Sequence, residues 1–411
     1  MLESSNQFQG KIQFGEQLLQ NGKINEALEI FDDVLNKEPD NTIALNDKGV
    51  ALNTLGKHHD AIQNFLKAIR IDDSNSNTIF NLISNYFAIG KWREAENTLF
   101  KYEYLLSKQD VNMIKTDLKK AKHTILDSDS IKALTLSINQ NSISGNLKFY
   151  LDINKHAQKI MWEYLVKNEL YESETLQCLT SILKDGDCFI DIGAHIGYFS
   201  LLASLMVGNE GQVFSFEPED SNYLHLNTHI SENNLSNIQA INAALGAESK
   251  EAQFFINLDA DGGHALWNVG LLDSNEKSRA NPTVRNINVF SLDDVFKDRE
   301  LNSLKLIKID AEGADYDILR GGINTILKYD FPYIICEINR FALQQMGTNE
   351  EAFRHFMKEL GYDTYLLNDS GSNIVQLLPE HHVESDYIFN LLFANEEKLR
   401  KDGFLKCLDT I

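Results

Sequence analysis

The chain is poor in proline and cysteine, with five and four in 411 residues. Proline removes a backbone donor and clashes with the preceding turn, so its scarcity leaves room for long helices. Cys178, Cys188, Cys336 and Cys407 lie far apart and form no C-x-x-C pair. A zinc site or a disulfide framework is therefore not expected, and a reducing compartment is. Basic residues are also in deficit: Lys+Arg number 38 against 60 Asp+Glu, a formal net charge of −22. That field repels phosphate backbones, so nucleic acid is not expected as a partner. The longest nearly apolar stretch, Tyr198 to Val207, falls well short of the roughly 20 residues of a membrane span. The polar opening MLESSNQFQGK has no apolar signal core. These absences suggest a cytoplasmic protein with no membrane span and no metal. Apolar residues make up 43% and charged residues 24% of the chain, an ordinary globular mixture that excludes whole-chain disorder.

The first hundred residues carry an internal repeat. Gly22-Lys23, Gly56-Lys57 and Gly90-Lys91 recur at a spacing of 34. Each glycine is followed by an alanine five residues on (Ala27, Ala61, Ala95) and then a large apolar residue (Phe31, Phe65, Leu99). Gly15 and Gly49 stand seven residues before the first two. Small residues at these positions let paired helices approach, with the phenyl rings filling the gap. The third repeat departs from the pattern, with Ile83 in place of the glycine, as a terminal repeat does. The pattern resembles the tetratricopeptide repeat over residues 8–104, which implies an all-α domain of stacked helix pairs. From 105 to 145 the chain is polar and reads as a connector with weak helix content, its boundary at Ser142 to Gly145. Residues 150–183 return to helical periodicity.

Beyond Asp187 short apolar runs alternate with helical stretches: CFIDI, QVFSFEP, NIQAINAAL, LKLIKID and PYIICEIN are the strand candidates. The alternation predicts an α/β domain over 146–400, with a mainly parallel sheet and helices on both faces. Ligands of such a sheet bind at the carboxyl ends of its strands.

The chemistry-bearing residues cluster at those ends. The first strand runs into Asp191-Ile192-Gly193-Ala194-His195-Ile196-Gly197, a D-x-G-x-x-x-G turn, not the G-x-G-x-x-G of dinucleotide binders. Glycine lets a ligand approach the backbone, and Asp191 suits a cationic ligand better than a pyrophosphate. The second strand ends in Glu217-Pro218, where a carboxylate can accept the hydroxyls of a ribose. Ala243 and Ala244, after the third strand, could wall a base or serve only as small packing residues. Lys308, Asp310 and Glu312 follow one another at the end of LIKID, and Glu337 ends IICEIN. Between the middle strands, Asp261-Gly262-Gly263-His264-Ala265-Leu266-Trp267 suits an acceptor loop or a plain surface turn. His225 and His229 are spaced i, i+4 as zinc ligands can be, with no evident third ligand.

Taken together, DIGAHIGYFS, FSFEP, INAALG, VFSLDDV and above all LIKIDAEGADYDILRGG resemble the FkbM family of S-adenosylmethionine-dependent methyltransferases. Asp315 stands where that family usually carries glutamate, and Tyr171-Glu172 matches a pair often found before its first strand. The resemblance implies a Rossmann-like methyltransferase fold, S-adenosylmethionine as cofactor, and O-methylation of a sugar, glycan or natural-product hydroxyl. It implies a cofactor site at Glu172, Asp191, Gly193, Ala194, His195, Gly197, Glu217, Pro218, Ala243 and Ala244. A hydroxyl acceptor needs its proton removed, for which the candidates are Asp310, Glu337 and Glu312, with Lys308 and His264 in support. The repeats would serve a protein partner, the acceptor or a second copy of the chain. A scaffold with a cofactor-binding but non-catalytic domain is the rival reading.

Overall fold

The computed structural model describes residues 2–88, 92–126, 129–140, 143–367, 374–378, 381, 383, 388–402 and 408–410. Gly90, Lys91, Ser142 and Cys407 lie outside the described residues. The chain divides into two compact units, Met1–Thr124 and Ile125–Ile411.

The first unit is a row of helices: α1 (Leu2–Gln20), α2 (Ile24–Lys37), α3 (Thr42–Thr54), α4 (His58–Ile71), α5 (Ser76–Ala88), α6 (Trp92–Tyr102) and α7 (Lys108–Leu126). The repeat residues explain the pairing. A Cβ on Gly15 would lie 2.6 Å from the Phe31 ring, and one on Gly49 would lie 2.5 Å from the Phe65 ring. Each phenyl group thus occupies the place of the missing side chain. In the third pair the exchange runs the other way: Ile83 and Leu99, both buried, share the volume that glycine and phenylalanine share elsewhere. Helix α7 buries Val111, Ile114 and Leu118 against the core of the preceding pairs.

The second unit opens with an antiparallel hairpin, β1 (Ile131–Gln140) and β2 (Ile143–Asp152). The polar connector expected over 105–145 is thus α7 and the first strand of this hairpin, and the boundary expected near Gly145 falls inside it. Both elements are one-sided, so their solvated faces dominated the composition. The hairpin buries Leu136, Ile138, Leu147, Phe149 and Leu151, at alternate positions along each strand.

There follow α8 (His156–Leu165), α9 (Ser173–Ile182), β3 (Cys188–Ile192), α10 (Tyr198–Val207), β4 (Gln212–Phe216), α11 (Asp220–Glu232), β5 (Ile238–Ile241), β6 (Ala244–Leu245) and β7 (Lys250–Ile256). Next come α12 (Glu276–Ala280), β8 (Thr283–Phe290), α13 (Leu292–Phe296), β9 (Leu304–Ile309), α14 (Asp315–Arg320), α15 (Ile323–Lys328) and β10 (Tyr333–Ile338). The last are α16 (Arg340–Gln345), α17 (Glu350–Glu359), β11 (Asp363–Leu366), β12 (Ile374–Leu377), β13 (Phe389–Ala394), α18 (Glu396–Asp402) and β14 (Leu408–Thr410).

One sheet has the order β14-β12-β11-β13-β10-β9-β3-β4-β5. Strands β5, β4, β3, β9 and β10 are parallel, and β13 is inserted antiparallel between β10 and β11. Strand residues alternate between two cores: Phe189, Val213, Leu306 and Ile335 face one, Ile190, Phe214, Ile307 and Ile334 the other. After β5 the chain forms a separate sheet, β6-β8-β7, before returning to β9 beside β3. The return creates a switch point between β3 and β9, where an open α/β sheet binds its ligands. Among the described residues, no helix is long and apolar enough to cross a membrane.

On α11, His229 is a structural tie, and His225 is a buried ring whose two nitrogens have no hydrogen-bond partner among the described residues. His229 Nδ1 donates to the Ile196 carbonyl at 2.7 Å, and its Nε2 accepts the Tyr150 N–H at 2.9 Å. It thereby ties β2 to the turn after β3. Among the described residues, no three His, Cys, Asp or Glu side chains are grouped to hold a metal ion. Burial pulls His229 down to about 4, and burial with His229 and Lys155 nearby pulls His225 down to about 2. Both stay neutral in the folded chain, whereas unfolded imidazoles titrate near pH ~6.5. Below that value the unfolded chain binds more protons, so stability is lost as the pH falls from about 6.5 toward 4. Urea unfolding midpoints should decline between about pH 7 and 5, and His225→Leu should flatten the decline. Equal slopes in both chains would exclude His225 as its source.

Candidate functional site

The carboxyl ends of β3 and β9 are locked together. The Asp310 N–H donates to the Ile192 carbonyl at 2.9 Å. Gly193 follows with φ +77°, and a Cβ there would lie 1.8 Å from the Asp310 carbonyl oxygen. Only glycine fits both the left-handed backbone and the contact. The N–H groups of Gly193 and Ala194 both reach the Phe216 carbonyl, each at 2.9 Å, binding the turn to β4 as well. Gly197, with φ +90°, starts α10.

Two carboxylates flank this turn. Asp191 is buried in β3; its Oδ2 accepts from Ser200 Oγ at 2.5 Å, while its Oδ1 has no hydrogen-bond partner. Burial raises its pKa. Glu217 follows β4, with Oε2 accepting the His195 N–H and Oε1 the Glu219 N–H, both at 2.8 Å. Burial raises it to about 7, against the pull of His195 and these two donors.

A second group of acids surrounds Lys308. Its ammonium is buried and lies 3.1 Å from Asp310 Oδ2. Burial alone would lower the lysine pKa, but Asp310, Asp191 and Glu172 outweigh it and raise it. Cys336 of β10 is level with Ile309 of β9, which sets Glu337 beside Asp310. Burial first, then Asp310 and Glu312, hold Glu337 well above the usual carboxylate range. Burial and Asp310 raise Glu312 to about 8, and burial raises Glu172 to about 7 although Lys308 opposes it. The Glu312 carboxylate accepts from Asn339 Nδ2 at 3.1 Å and does not cap α14, where Asp315 accepts the Gly313 N–H.

The glycine loop after β7 forms the facing wall. Trp267 Nε1 donates to the Glu312 carbonyl at 2.8 Å. Asp261 accepts from the Ala157 N–H at 2.7 Å, and from Gln158 Nε2 and His195 Nε2 at 3.1 Å each, tying the loop to α8 and to the turn after β3. His264 Nδ1 accepts the Asn257 N–H at 2.9 Å. Burial and the charge of His195 lower this imidazole to about 3, so it is neutral with its proton on Nε2.

These walls enclose a cavity of about 430 Å³ lined by Glu172, Asp191, Gly193, Ala194, His195, Glu217, Pro218, Ala243, Ala244, His264, Lys308, Asp310, Glu312 and Glu337. Gly197 does not line it and packs toward Leu226. The volume lies in the roughly 300–1,000 Å³ range of small-molecule sites. Sequence reasoning missed Asn222, Asn257 and Asn339, which also line it, because lone asparagines in polar stretches carry no pattern. Asp261 was visible only as part of the glycine loop.

Residues 191–364 match the family model described as the methyltransferase FkbM domain. The second unit carries a methyltransferase FkbM domain. The match begins at Asp191 and includes the acids at the carboxyl ends of β9 and β10. No curated protein sequence matches the chain. Solved structures similar to it include the Sgt2 TPR domain from Aspergillus fumigatus, at 17% identity, covering 29% of this chain and 82% of that one, with a TM-score of 0.28. The type III secretion translocator chaperone SycD of Yersinia enterocolitica is 19% identical, covering 31% and 92%, with a TM-score of 0.29. PcrH from Pseudomonas aeruginosa is 16% identical, covering 28% and 92%, with a TM-score of 0.26.

The FkbM domain depends on the Gly193 contact to join β3 to β9. Gly193→Ala should destabilise the second unit by more than about 1 kcal/mol, since the site combines positive φ with a backbone clash. An unfolding midpoint equal to that of the parent chain would show that the contact relaxes.

Proposed function

We propose that the chain is an S-adenosylmethionine-dependent methyltransferase that methylates a hydroxyl group of a sugar, glycan or natural product. The observation that carries the reading is Glu217, fixed at the end of β4 by two backbone donors at the wall of a cavity over the switch point. A carboxylate has about four lone-pair sites, so two are left for ribose hydroxyls. The unpartnered Asp191 Oδ1 suits the ammonium of the cofactor's amino-acid part. The excess of carboxylates around Lys308 suits a cationic ligand. Pro218, Ala243 and Ala244 offer an apolar wall to a base. When bound, the cofactor supplies an activated methyl group on a sulfonium.

The chain's own residues then have to orient the acceptor and take its proton. Lys308 occupies Asp310 Oδ2, leaving Oδ1 to receive the hydroxyl proton. A pKa raised to about 8 favours the protonated, hydrogen-bond-donating form of Glu312 near neutral pH, and Glu337 is shifted in the same direction. The Nε2–H of neutral His264 is a further donor. Positioning of this kind contributes up to about 7–11 kcal/mol, and general-base help adds roughly 10²–10⁴ in rate. We further propose that the repeat unit holds a protein partner or a second copy of the chain. The buried free thiols Cys178, Cys188 and Cys336 suit a reducing, cytoplasmic setting.

Transfer of labelled methyl from S-adenosylmethionine into a lysate of cells lacking the protein tests the reading, and the labelled product identifies the acceptor. Cofactor binding without transfer to any acceptor would favour the scaffold reading. In calorimetry, Glu217→Ala should weaken cofactor binding by about 1.5–3 kcal/mol, the scale of hydrogen bonds to a charged group; unchanged affinity would remove Glu217 from the site. Asp310→Asn should lower single-turnover rates by about 10²-fold or more with cofactor affinity nearly kept. Glu337→Gln should cost less, since glutamine resembles the protonated acid. A larger loss in Glu337→Gln would make Glu337 the base.

A further inference from the structure

We propose that the methyl acceptor is anionic, and that its carboxylate or phosphate sits in a second cavity on Lys155, Lys159 and Lys277. The proposal rests on the methyltransferase reading and names the substrate class for it. This cavity, about 530 Å³, shares His156, Asn257, Ala260 and His264 with the first, so a single elongated molecule can occupy both.

The charges on its wall are arranged for an anion. Lys155 immediately precedes α8, and Lys159 lies one turn on, on the same helix face. Lys277 comes from α12 on the opposite side of the loop. The Lys155 ammonium donates to Ser221 Oγ at 2.7 Å, so a neutral hydroxyl fixes it without cancelling its charge. Among the described residues, none of these three ammonium groups is ion-paired.

Three carboxylates stand on the same wall, and each is held by donors other than these ammonium groups. Asp259 accepts the N–H groups of Lys277 and Ser278 at 3.1 and 2.9 Å and the Ser278 hydroxyl at 2.7 Å. Asp261 is held by Ala157, Gln158 and His195. Glu219 accepts the Asn222 N–H at 2.8 Å and lies 3.8 Å from Arg285 Nη1. In a chain of net charge −22, unpaired lysines gathered at one cavity run against the general field. At the shared wall, His264 presents a neutral Nε2–H, a donor with no competing negative charge. Burial, His195, Lys155 and Arg285 together keep that ring from protonating.

Calorimetry on the full chain with S-adenosylhomocysteine present, using glucose, glucuronate and glucose 6-phosphate as probes, tests this. Both charged sugars should bind at least about tenfold more tightly than glucose, and the tighter of the two tells carboxylate from phosphate. Combined Lys155→Gln, Lys159→Gln and Lys277→Gln should erase the preference while S-adenosylmethionine affinity stays within about twofold. Lys159→Gln alone, at an exposed helix position, should remove part of it and guards against a folding defect in the triple variant. Equal binding of all three sugars, binding by none of them, or a preference retained in the triple variant overturns the proposal. Failure of S-adenosylmethionine itself to bind, with the charged-sugar preference intact, would overturn the cofactor reading alone.

Discussion

A buried ammonium governs the centre of the second unit. Removing a lysine from water costs several kcal/mol unless carboxylates and hydrogen bonds compensate. Lys308 meets that condition with Asp310 at 3.1 Å and with the nearby Asp191 and Glu172. Asp191 is level with Lys308 across β3 and β9. The compensation therefore exists only if the chain, having laid down β3, β4 and β5, returns to place β9 against β3. The same return brings Gly193 under the Asp310 carbonyl and opens the cavity above both strand ends. Fold and site rest on one contact surface.

The carboxyl groups there outnumber what Lys308 can balance, and their pKa values register the excess. Glu172 and Glu217 are raised to about 7 and Glu312 to about 8, and Glu337 is held well above the usual carboxylate range. Burial leads in every case, and neighbouring acids add to it. Walls of this kind favour a positive charge between them over the ionisation of further carboxyl groups. That property follows from the walls alone and agrees with a sulfonium cofactor.

Much of this was legible in the sequence because it sits on strands and tight turns, where period and spacing are strict. The D-x-G-x-x-x-G turn, the acid after the second strand and the Lys308–Asp310 pair all fell where alternation placed them. The repeat glycines were legible for a similar reason, since a ring and a missing Cβ leave a fixed offset. The β1–β2 hairpin was not, because its solvent face is Lys, Thr, Ser and Asn and gave the segment a connector's composition. The alternation of Leu134, Leu136 and Ile138 was the signal that could have revealed it. Strand β13 was not among the strand candidates, because its FNLLFA run stands outside the strand–helix alternation. Asn222, Asn257 and Asn339 reach the cavity from α11, the loop after β7 and the turn after β10, and only the fold brings them together.

The two cavities also explain why the loop after β7 is rich in both glycine and polar anchors. On one side it faces a surplus of carboxylates; on the other it faces lysines. A charged loop would be drawn toward one of them. The loop instead contributes small residues and a neutral imidazole, and its acids are committed within the chain, Asp259 to Lys277 and Ser278 of α12 and Asp261 to three donors from α8 and the turn after β3. Trp267 fixes its far end to the Glu312 carbonyl. The partition between the two regions is thus held by these hydrogen bonds, from the Ala157 backbone and from the Gln158 and His195 side chains. A molecule reaching across it meets cation-seeking groups at one end and anion-seeking groups at the other, which sets the direction in which it can lie.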